Sequence, residues 1–124
     1  MRIPLSQSDF ASLGLNPALV DNLSSLGYTA MTPIQAQALP PILVKKDVIA
    51  KAKTGSGKTA TFALGLLHNL DVKRFRVQTL VLCPTRELAD QVAVEIRKIA
   101  RGIHNVKVLT LCGGIGRLYT STAA

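Results

Sequence analysis

The run Ala52-Lys53-Thr54-Gly55-Ser56-Gly57-Lys58-Thr59 carries the residue types needed to hold a polyphosphate. Gly55 and Gly57 lack a Cβ and can take positive φ, so successive backbone N–H groups can turn inward on one anion. Lys58 would set an ammonium against the β- and γ-phosphates of a nucleotide, and the Thr59 hydroxyl is the kind of ligand Mg²⁺ takes beside them. The strict spacing of such loops wants a glycine five residues ahead of Gly57, where this chain has Ala52. Alanine is small enough for a strand-to-loop junction. A plain glycine–serine turn ahead of a helix is the competing reading. It must explain two glycines, a lysine and a threonine meeting between the right flanking elements by coincidence.

Those flanking elements are a strand before the loop and a helix after it. Residues 47–50 form a short apolar run, and residues 60–67 have a helical pattern whose unpaired N–H groups and positive dipole end would face the phosphate. Upstream, Asn16-Pro17 predicts a capped helix start with Leu19, Val20, Leu23 and Leu26 on one face, and Gly27 sits where a left-handed cap is expected. Thr32-Pro33-Ile34-Gln35 predicts a second start, interrupted by Pro40-Pro41. Downstream, residues 78–83 read as a buried strand. Thr85 then caps a helix with the stripe Leu88, Val92, Ile96 and Ile99, closed by Gly102, and residues 106–111 read as a third strand. Strands alternating with helices predict an α/β fold with a mainly parallel sheet.

The chain has 124 residues, 48% hydrophobic and 18% charged, which suits one small packed domain or part of a larger one. No apolar run reaches the roughly 18 residues that cross a bilayer, so no membrane partner is expected. The opening Met1-Arg2-Ile3-Pro4-Leu5-Ser6 lacks the apolar segment of a secretory signal, and a cytoplasmic address is expected. Cys83 and Cys112 each end a β-like run and read as small buried hydrophobes. Fifteen Lys and Arg against seven Asp and Glu give a net charge of +8, which suits a polyanion such as RNA or DNA. Few aromatics are present for base stacking, so contacts to a sugar–phosphate backbone are expected.

Phe10, residues 27–35 with Gln35, the loop from Ala52 to Thr59, then Pro84-Thr85-Arg86-Glu87-Leu88-Ala89 and Gly113-Gly114 resemble, in order and spacing, the opening motifs of DEAD-box RNA helicases. The resemblance runs from about Phe10 to Gly114. It implies a RecA-like P-loop NTPase domain, ATP and Mg²⁺ as cofactors, and RNA as partner, with ribosomal RNA one candidate. It implies that Gln35 reads adenine, as an amide with one donor and one acceptor can, that Tyr28 covers a face of the base, and that Phe10 buttresses this lobe. Gln35 also completes a capping box with Thr32, a role it cannot combine fully with base reading. Pro84, Thr85 and Arg86 resemble an RNA-contacting motif, and a helix start, a hydroxyl and a guanidinium do form a phosphate site. A plain N-cap with Arg86 solvated or paired to Glu87 or Asp90 is the alternative. Gly113 and Gly114 resemble a second RNA-contacting loop, although a diglycine alone is commonly a turn.

Hydrolysis in that family needs the acids of Asp-Glu-Ala-Asp, and this sequence contains no Asp-Glu pair. The resemblance therefore implies an adenine-recognition region over residues 8–36, an incomplete first helicase domain over 39–114 and an atypical tail over 115–124. The intact protein is expected to be an ATP-dependent RNA helicase, and this chain alone inactive in turnover. In the family sheet, strands carrying the later motifs lie between the phosphate-loop strand and the one ending at Cys83, so an isolated chain that is unstable or aggregates is expected. A small-molecule kinase with a similar loop, a nonfunctional remnant and a nucleotide- or RNA-binding module are the other function classes.

Overall fold

The computed structural model of the chain describes residues 9–55 and 57–113; Ser56, Gly114 and the tail 115–124 lie outside the described residues. A 3₁₀ turn, Phe10–Leu13, precedes four helices: α1 (Pro17–Ser25), α2 (Pro33–Leu43), α3 (Lys58–His68) and α4 (Arg86–Ala100). Their starts follow from local chemistry. Asp9 caps the 3₁₀ turn through the Ala11 N–H, Asn16 accepts from the Ala18 N–H at 3.0 Å ahead of Pro17, and Thr85 accepts from the Leu88 N–H at 3.1 Å. Gly27 ends α1 at a φ of 90°; its N–H reaches the Ser24 carbonyl and the Tyr28 N–H reaches that of Leu23.

α2 differs from expectation. It continues through Pro40 and Pro41 to Leu43 rather than stopping at them. Both prolines lie in its last turns, where only two backbone bonds are lost. Leu39 is fully buried beside them, so tertiary packing outweighs the local penalty. α2 packs along α3, α3 along α4, and α1 against α4. Leu19, Leu23, Leu39, Leu64, Leu67 and Ile99 meet in the core. The stripe on α4 buries Val92, Ile96 and Ile99, while Leu88 stays exposed at its open end. Asn22 on α1 donates to the carbonyls of Lys98 and Ile99, supplying partners for the last turn of α4. Gly102 does not serve as a left-handed cap: a Cβ there would stand 2.3 Å from the Ala18 carbonyl oxygen, so close approach to α1 requires it.

Residues 47–50, 78–83 and 106–111 carry no strand pairing among the described residues, and 78–83 are not buried as expected. Leu82 is 84% exposed and Ile49 93%. Cys83 and Cys112 are half-buried and free rather than buried. A strand inside a parallel sheet is held by neighbours on both sides. Here an open groove of about 1670 Å³ separates 47–50 from 79–83, with α3 and α4 against it. Unpaired apolar segments of this kind associate with one another. The chain is expected to self-associate in solution, and the pair Leu80→Lys with Leu82→Lys to reduce that association, since both side chains are exposed. Sedimentation velocity checks this; a monodisperse monomer for the parent chain would contradict it.

Candidate nucleotide site

The junction between loop and α3 is organised by the backbone of Gly57, which takes a φ of 90°. Its carbonyl accepts from the Thr61 N–H at 3.1 Å, from the Thr61 hydroxyl at 2.8 Å and from the Gln35 amide nitrogen at 3.3 Å. The opposite end of the Gln35 amide accepts from the Thr32 N–H at 2.9 Å. Gln35 is 1% exposed, so both halves of its amide have protein partners where water cannot replace them. The capping box is thus formed, and Gln35 adds a link from α2 to the loop that a capping box alone does not give. Thr61 was not singled out in the sequence. Its hydroxyl reads there as an ordinary helix residue, and only the fold shows it returning to the carbonyl four residues back.

Lys58 and Thr59 open α3, half-buried, and face the groove together with Thr54, Gly55 and Gly57. The unpaired N–H groups of the first turn of α3 lie at the same end. Ala52 lines a smaller cleft beside Thr32 and Pro33, and Lys53 lies exposed in the loop. Tyr28 lines the groove as well; Phe10 is buried behind it, with ring centroids 6.5 Å apart and planes at 88°. The Tyr28 hydroxyl donates to the Glu95 carboxylate. Burial, that hydrogen bond and the charge of Glu95 push the phenol up to about 12. Glu95 figured in the sequence only as one acid among seven, because its partner lies far away along the chain.

A second cluster forms at the start of α4. Pro84, Thr85 and Arg86 are exposed there, and the Arg86 guanidinium donates to the Gly113 carbonyl at 2.5 Å. Arg86 and Gly113, from the two segments expected to meet RNA, are therefore neighbours; neither lines the groove, although Cys83 and Leu88 do. Arg86 has neither Glu87 nor Asp90 as a salt-bridge partner among the described residues. No described helix is long and apolar enough to cross a membrane.

A model of the DEAD/DEAH box helicase family matches residues 32–122. The chain is similar to the ATP-dependent RNA helicase DbpA of Escherichia coli (strain K12), 64% identical over 100 residues that cover 81% of this chain and 22% of that protein. It thus spans about a fifth of the length of such relatives. Among solved structures, a DEAD box protein from the hyperthermophile Methanococcus jannaschii superposes with a TM-score of 0.88 at 33% identity, over 94% of this chain and 32% of that one. S. cerevisiae Dbp5 bound to RNA and ADP BeF3 superposes with a TM-score of 0.74 at 31% identity, over 77% of this chain and 25% of that one. The fold class is accordingly the RecA-like α/β domain of these helicases, with its helices in place and its strand segments unpaired among the described residues. Matched across most of its length, the chain belongs to the DEAD/DEAH box helicase family.

Proposed function

We propose that this chain forms the ATP-holding front of an ATP-dependent RNA helicase, binding nucleotide at Ala52 to Thr59 and RNA backbone at Pro84, Thr85, Arg86 and the Gly113-Gly114 loop. The observation that carries this reading is the Gly57 junction, where a left-handed glycine, buried Gln35 and the first turn of α3 present Lys58 and Thr59 to one groove. The groove exceeds the roughly 300–1,000 Å³ of ordinary ligand pockets, so a nucleotide would fill only its loop end. Gly55 and Gly57 supply the cradle, Lys58 the charge on the β- and γ-phosphates and Thr59 a hydroxyl oxygen for Mg²⁺, with phosphates and water in its shell. Tyr28, backed by Phe10, covers the base. Among the described residues no three His, Cys, Asp or Glu gather into a cation site, and the sequence has no Asp-Glu pair. The chain therefore holds ATP without turning it over, and the attacking water would be oriented by residues of the rest of a full-length helicase.

A fluorescent ATP analogue titrated against the chain tests the reading, with an ATPase assay in the presence and absence of RNA beside it. Saturable binding without RNA-stimulated turnover is the expected pair of results; absence of binding by a folded sample would remove the proposal. Gln35→Ala separates the two uses of that amide. It leaves the Thr32 N–H and the Gly57 carbonyl each short of a partner, and is expected to weaken nucleotide binding about tenfold. If Gln35 also reads the purine, the preference for ATP over GTP disappears in the same variant. A retained preference would restrict Gln35 to a scaffold role.

A further inference from the structure

We propose that Glu95 is a positioning residue for the nucleotide base: its carboxylate tethers the Tyr28 hydroxyl and so sets the ring that covers the purine. This rests on the nucleotide reading above and extends it to a residue in the middle of α4. Tyr28 is held at three points. Its backbone N–H is bonded to the Leu23 carbonyl at 3.0 Å, its ring meets Phe10 at right angles, and its hydroxyl ends on Glu95, 67 residues later in the chain. The backbone and Phe10 contacts place the ring, and the third stops it from swinging about χ1. Tyr28 and Glu95 both line the groove that holds Lys58 and Thr59.

The partner of Glu95 is informative in itself. Glu95 is half-buried, in a chain with fifteen Lys and Arg, yet no cation lies within salt-bridge distance of it among the described residues. A half-buried carboxylate facing a neutral hydroxyl gives up hydration without an opposite charge to offset it. An apolar side chain would extend the α4 stripe at less cost, so the carboxylate is spent on directing the phenol. Because the phenol is pushed up to about 12, it remains a donor at any ordinary pH.

The test uses the full chain in a Tyr119→Phe background, so that a single phenol titrates, and compares Glu95→Ala and Glu95→Gln with the parent. The probes are ADP, which carries the base, and inorganic tripolyphosphate, which does not. Glu95→Ala is expected to loosen ADP about tenfold while leaving tripolyphosphate unchanged, and Glu95→Gln, which keeps an acceptor oxygen, to recover most of the loss. Ultraviolet titration should show the phenol of Glu95→Ala below that of the parent, through loss of the hydrogen bond and charge of Glu95, while burial, the largest cause, still holds it above the ordinary value. Unchanged ADP affinity in that variant overturns the proposal, and so does a parallel loss of ADP and tripolyphosphate, which marks a merely structural role. A parent whose phenol titrates at the ordinary value also overturns it, whether or not nucleotide binds. A parent that binds tripolyphosphate as tightly as ADP defeats the base reading instead, with the phenol titration still judging the tether.

Discussion

Lys58→Ala is expected to cut the affinity for ATP about a hundredfold while leaving the helical content and thermal midpoint where they were. The two halves of that expectation have separate causes. Lys58 is the first residue of α3, follows a left-handed glycine, and faces the groove rather than the core. Among the described residues its ammonium has no salt-bridge partner to abandon, and alanine is a better helix former at that position. Against phosphate, the same ammonium is the main mobile charge that the loop can bring to the terminal phosphates. The N–H groups of the first turn remain in the variant, which is why a residual affinity is expected rather than none. Lys58→Arg keeps the charge but presents a planar fork in place of a compact ammonium, and should fall between the two. Tripolyphosphate should follow the same order as ATP. An Ala variant that binds both as the parent does would place the anion elsewhere and remove the phosphate cradle from this loop.

The helix starts and the left-handed glycines Gly55 and Gly57 were legible in the sequence because their causes are local. Asn16-Pro17, Thr32 with Gln35, and Thr85 each signal a start within four residues, and each cap forms. The limits appear where the deciding partner is remote. Pro40 and Pro41 read as breakers, yet α2 passes through them because Leu39 is buried by the rest of the fold. Gly102 reads as a left-handed cap, whereas it is required by the backbone of α1 at Ala18. Residues 78–83 have the composition of a buried strand, but composition does not supply neighbours, and Leu80 and Leu82 stand exposed beside the groove. In the site, the loop and the acceptor half of Gln35 could be read directly. The donor half, on the Gly57 carbonyl, and the Glu95–Tyr28 tether join residues 22 and 67 positions apart, and no local pattern encodes them.

Gly57→Ala should be the most damaging single change in the loop, costing about 2–4 kcal/mol of stability as well as nucleotide affinity. Two penalties coincide. The left-handed backbone at φ 90° is strained for alanine by about 1–2 kcal/mol. The new Cβ would also stand 2.4 Å from the Gln35 amide nitrogen and 3.3 Å from the Thr32 hydroxyl. Gln35 is buried, so its tip cannot swing into solvent; it must give up the Gly57 carbonyl, the Thr32 N–H or both. Gly55→Ala is the natural control. Its φ of 82° carries the same strain, and nothing lies within 4 Å of the added Cβ, so only the backbone part should appear. The double variant Gly57→Ala with Gln35→Ala removes the crowding and keeps the strain. Its loss should be smaller than the two single losses added together, because the overlap is relieved once. Chemical denaturation of the variants in the Leu80→Lys, Leu82→Lys background reduces the contribution of self-association to the comparison. If Gly57→Ala is no worse than Gly55→Ala, the amide of Gln35 yields freely, and it is then a mobile side chain available to a purine rather than a strut between α2 and the loop.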